Sequence, residues 1–87
     1  MIPRIEYEAR TIDTFGDAVD IWHFASNAEA VMVAERLMAR AGVEYVAVAV
    51  ERHDWRKHEA GKVCESYTTV ATFGDPAAIA LWEGVTL

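Results

Sequence analysis

The stretch SNAEAVMVAERLMARAG, residues 26–42, constrains the fold more than any other, because it specifies a helix, its apolar side and both its ends. Ala30, Val33, Ala34, Leu37, Met38 and Ala41 recur at the i, i+3, i+4, i+7 spacing that lines one side of an α-helix. Ser26 followed by Glu29 has the S-x-x-E spacing of a capping box, and Gly42 supplies the residue that most readily turns left-handed at a helix end. A helix with one apolar side needs a second layer to bury it against, so the segments around it must supply that layer.

Those segments alternate with period two. Ile5, Tyr7, Ala9 and Thr11 interleave with Arg4, Glu6, Glu8 and Arg10, which predicts a strand with one buried and one wet face. Its partner is AVDIWHFA, 18–25, reached through the Gly16-Asp17 turn. There Val19 and Ile21 point opposite to Trp22 and Phe24, and both sets look buryable. After the helix, Val46, Val48 and Val50 alternate with Tyr45, Ala47, Ala49 and Glu51 in a central strand. CESYTTVATF, 64–73, is rich in residues that suit a pleated surface, and pairing it with 43–53 makes HDWRKHEAGKVC, 53–64, the tip and flanks of a hairpin. Asp75 as N-cap, Pro76 in the first turn and Gly84 at the end predict a short last helix.

The order is β-β-α-β-β-α. It predicts a single α+β domain over residues 1–87, with a four-stranded, mostly antiparallel sheet and both helices on one face, the other face being left open. The tetrapeptide TFGD occurs at 14–17 and 72–75, but at non-equivalent places in this order.

Size and charge remove several functions. A chain of 87 residues hides only about 60 to 65% of its extended surface on folding, and the singly placed glycines match no phosphate-cradling loop. No segment approaches the ~18 apolar residues of a membrane span, and MIPRIEYEAR lacks the features of a secretory signal. With Cys64 the single cysteine, a cytoplasmic setting is expected. Fourteen acids against eight bases give a net charge of -6, which repels phosphate backbones and disfavours direct nucleic-acid binding. The acids gather early in the chain, whereas Arg52, Arg56, Lys57 and Lys62 make the 52–62 region basic.

Three chemistries compete for residues 53–64. A zinc site would use His53, His58 and Cys64 with His23, Asp54 or Glu59, but a lone cysteine beside H-x4-H matches no common ligand spacing. A thiolate nucleophile at Cys64, helped by His58 and Lys62, lacks a helix N-terminus and an oxyanion donor. RHDWRKH joins cations to a stackable Trp55, as single-strand binders do, yet a single basic tip makes few phosphate contacts. Glu6 and Glu8 read as the wet side of a strand. No cofactor and no catalytic constellation is expected.

Protein binding is the expectation that remains. The hairpin tip offers Arg52, Trp55, Arg56 and His58, residue types enriched in interface hot spots. Met32 lies between Glu29 and Arg36 on the polar side of the helix. Glu6, Glu8, Asp13, Asp17 and Asp20 make the N-terminal hairpin acidic. In size, acidity and lack of catalytic motifs the chain is similar to the small inhibitors, anti-CRISPR proteins among them, that mobile elements such as phages direct against host machinery. That resemblance implies a non-enzymatic inhibitor that sterically blocks a larger basic host protein. The alternatives are a small metal- or ligand-binding enzyme using His53, His58 and Cys64, and a homo-oligomeric structural subunit such as a homodimer.

Overall fold

The run Val46–Val50 is apolar on both sides of a strand, and that decides where everything else packs. The computed structural model describes residues 3–58 and 61–84, with side chains described for 4–55 and 66–84. Its elements are β1 (Pro3–Ile12), β2 (Ala18–Phe24), α1 (Asn27–Ala39), β3 (Ala47–His58), β4 (Gly61–Gly74) and α2 (Pro76–Glu83), in the order the sequence predicts. The strands form one antiparallel sheet in the order β2-β1-β3-β4. β1 and β3 occupy the centre and pair without interruption from Pro3↔Arg56 to Ile12↔Ala47. β2 and β3 both run antiparallel to β1, so α1 crosses over β1 to join two strands of the same direction.

Each face of the sheet has its own helix. On one face, Ala9, Val48 and Val50 are sealed with Ala30 and Ala34 of α1, and Tyr7, Phe24, Val31, Leu37 and Met38 close the margins. On the other, Ile12, Ala47 and Ala49 are sealed by Ala78 of α2, with Ile79 and Trp82 alongside. The sequence reading placed both helices on one face, and the structure places them on opposite faces. The reason is that Ala47 and Ala49 are apolar enough to need cover and small enough to let a helix backbone come close.

The caps are chemically simple. Ser26 Oγ accepts from the Glu29 amide at 3.2 Å, and Asp75 Oδ1 accepts from the Ala77 amide at 3.0 Å. Gly84 ends α2 at φ 77°, as predicted. α1 instead stops at Arg40, with φ −107°, and Gly42 does not take a positive φ. Here tertiary tethers replace the glycine stop. The Tyr45 hydroxyl donates to the Leu37 carbonyl at 2.6 Å, and the Gly42 amide donates to the Tyr45 carbonyl at 3.1 Å. Within α1, Val31 joins the packed cluster in the place expected of Val33.

The long hairpin is longer than predicted. β3 continues to His58 and β4 resumes at Gly61, so His53, Asp54 and Trp55 are strand residues and not part of a tip. A polar, basic run reads as loop, but a strand that extends beyond both helices accommodates it as well, because pairing with β4 satisfies its backbone. Twelve residues at about 3.3 Å each span ~40 Å, matching the 43 Å long axis of the molecule. Two register shifts, opposite Val50/Glu51 and Asp54/Trp55, add residues to β4 and re-aim its side chains.

Both copies of TFGD place their glycine at positive φ, 83° at Gly16 and 95° at Gly74. A Cβ at Gly74 would collide with the Val46 carbonyl, and one at Gly16 with Leu81 of α2.

Candidate functional site

α2 has only eight residues, and beyond its reach its face of the sheet turns polar. Alternation from Ile12, Ala47 and Ala49 puts Arg10 and Glu8 of β1 on this face with Glu51, His53 and Trp55 of β3. Glu8 stands directly opposite Glu51, and the next pair on this face is Glu6 with His53. Glu8, Glu51 and His53 are 7, 4 and 8% exposed. Carboxylates so far from water require cations or donors around them.

They have several. His53 Nε2 contacts Glu8 Oε2 closely and lies 3.4 Å from Glu51 Oε1. Arg10 Nη2 donates to Glu8 Oε2 at 3.4 Å, and Arg10 Nε lies 2.8 Å from Glu51 Oε1. That last contact is an ion pair by distance only: Nε is buried and makes no hydrogen bond among the described residues, so its N–H is not aimed at the oxygen. His23 Nδ1, on the exposed side, is 3.5 Å from Glu8 Oε1. The His53 ring stacks beside Trp55, with centroids 6.1 Å apart, and beside Tyr67, at 5.8 Å. A half-open depression of about 360 Å³ meets this cluster, lined by Arg10, Glu51, His53, Tyr67, Thr69, Trp82 and Glu83. Ligand atoms of Glu8, Glu51 and His53 all lie within 4.8 Å of one another.

The second feature is an edge. β2 ends the sheet, and six of its seven residues are exposed, Val19, Ile21 and Trp22 among them. At its start the register shifts against β1, and the Asp20 amide donates to Thr11 Oγ1 at 3.0 Å in place of a ladder bond. Phe15 is exposed in the neighbouring turn.

The residues expected to bind a partner are dispersed. Glu8 is buried within the ion cluster and is not a surface contact, which corrects the wet-strand reading. Glu6 pairs with Arg4 at 3.0 Å. Asp13 builds the β1–β2 turn, its Oδ1 accepting from the amides of Phe15 and Asp17 at 2.9 and 3.0 Å. Asp17 is exposed just before β2 and Asp20 within it, while Met32 is exposed on α1, over the opposite face from Glu6 and Trp55. Arg52 pairs with Asp54 at 3.1 Å, and Trp55 is half-buried beside His53. The side chains of Arg56, His58 and Cys64 lie outside the described residues, so the ligand set His53, His58 and Cys64 is represented here by His53 alone.

Sequence reasoning missed Arg10 and Glu51 as site residues. The signal was E-x-H at 51–53, two groups on one strand face, but Glu8 joins them only through the β1–β3 register. No protein-family model, curated protein or solved structure matches the chain. Among the described residues no helix is long and apolar enough to cross a membrane.

Proposed function

We propose that this is a non-enzymatic binding protein that takes an extended segment of a larger, basic partner onto β2 and thereby blocks that partner's surface. The observation that carries the reading is β2 itself: an outermost strand with exposed apolar side chains on both its faces and no strand beyond it among the described residues. Such an edge presents main-chain donors and acceptors in register with side-chain contacts, which is how strand addition recognises a peptide. Exposed Asp17 and Asp20 beside Val19, Ile21 and Trp22 favour a segment that alternates apolar residues with Lys or Arg, and the overall charge of -6 speeds its approach. A chain this small then acts by occupying the partner's surface, as an inhibitor does.

The test compares the wild type with a Val19→Lys/Ile21→Lys variant, shown by circular dichroism to keep its fold, in pull-downs from cells of the native host. A basic protein recovered only with the wild type, and slowing amide exchange at 18–24 in the purified complex, supports the reading. Equal recovery with both chains, or protection elsewhere, refutes it. A wild type that is a dimer by light scattering, with 18–24 protected in that dimer, replaces the external partner by a second copy.

A further inference from the structure

We infer that Glu8, Glu51 and His53 form a site for one divalent first-row transition-metal ion, and that Arg10 is the internal cation that holds the place when no metal is bound. The ligand set is one imidazole nitrogen and two carboxylate oxygens. This chemistry suits zinc, cobalt, iron or manganese better than calcium or magnesium, which prefer oxygen alone. The spacing is near what coordination needs. Ligand atoms ~2.1 Å from a common ion lie about 3 to 3.5 Å from each other; His53 Nε2 and Glu51 Oε1 are already 3.4 Å apart, and all three groups offer atoms within 4.8 Å.

Three observations separate this cluster from an ordinary ion-pair network. First, Glu8 and Glu51 stand directly opposite each other on the two central strands, and both are at least nine-tenths buried. Like charges so placed repel and lose hydration, whereas two apolar residues would fill the positions without that cost, as Ile12 and Ala47 do further along the same face. Second, Arg10 fits poorly: its Nε is buried without a hydrogen bond, and its Nη2 contact with Glu8 is long at 3.4 Å. Third, Arg10 is partly exposed and lines the depression, so it has room to swing out and leave the carboxylates to an ion, while the depression supplies space for waters and brings Glu83 to its rim. Coordination uses the Nε2 lone pair of His53. The ring coordinates as a neutral imidazole, with its one N–H proton on Nδ1.

The experiment titrates chelator-treated protein with Co²⁺, then Zn²⁺, following visible absorption and the heat of binding. One Co²⁺ per chain with ligand-field bands, and displacement by Zn²⁺, are expected. Glu51→Gln and His53→Gln weaken binding by at least about tenfold, the lower end of what losing a mere supporting partner of a ligand costs. Arg10→Met, which keeps the aliphatic packing, binds several-fold tighter. His58→Ala/Cys64→Ser binds as the wild type does. No binding by either the wild type or Arg10→Met overturns the proposal, as does binding that persists in Glu51→Gln and His53→Gln or disappears in His58→Ala/Cys64→Ser. Should the ligand variants fail to fold, Arg10→Met still decides: binding no tighter than the wild type's overturns the inference.

Discussion

Ile12 is among the largest fully buried side chains, and it is the one that anchors β1 to the α2 side of the sheet. The fully buried residues packed with it, Ala47, Ala49 and Ala78, are alanines, which cannot expand to fill a hole. Ile12→Ala should therefore cost about 2 to 5 kcal/mol, read as a fall in the denaturation midpoint at unchanged slope. Val19→Ala on exposed β2 should stay within about 0.5 kcal/mol and serves as the comparison. Equal losses at the two sites would show that the α2-side core carries no weight. Ile12 was not picked out from the sequence, because it follows the alternating run that ends at Thr11 and precedes a turn. Glu8 and Glu51 were misread for a related reason. Alternation assigns them to a face, but only the pairing of β1 with β3 shows that this face is closed over by His53, Arg10 and each other.

At the scale of elements, the helices were legible wherever their ends are made by neighbours in sequence. Ser26 with Glu29, and Asp75 with Pro76, cap as their spacing says. The C-terminus of α1 was not legible, since Tyr45 fixes it from eight residues beyond Leu37. The β3–β4 ribbon was under-read because a basic run resembles a loop when the only criterion is burial. α2 is the element most exposed to a small perturbation, having two turns, one anchoring cap and a left-handed glycine at its end. Asp75→Ala removes the acceptor for the Ala77 amide and should cost about 1 kcal/mol, with Asp75→Ser recovering most of it in chemical denaturation. If Asp75→Ala is neutral, packing on Ile12 and Ala49 holds α2 without its cap.

For the whole molecule, composition and pattern gave the α+β class and the element order, and tertiary geometry alone gave the sides. Val48 and Val50 with Ala47 and Ala49 look like a buried face and a spare one, yet in a chain this short neither face of the central strands is spare. The acids followed the same division. Those near turns stayed at the surface, and the pair on the central strands went inside. A sheet covered on both sides only near residues 9–12 and 47–50 should be protected unevenly. Amides there should exchange slowest, near the limit set by global unfolding, while those of β2 exchange by local opening. Uniform protection across β1, β2 and β3, measured by mass spectrometry of proteolytic fragments, would contradict this division.

The opposed helices carry one more consequence. Adjacent residues of β1 and β3 send their side chains into two separate interiors, so the same few peptide units are a party wall between them. A shift of that wall toward one interior is a shift away from the other, and neither can be re-engineered by enlarging its own residues without thinning its neighbour. Designs that strengthen this protein must therefore change Ala47 together with Val48, or Ala49 together with Val50, as matched sets.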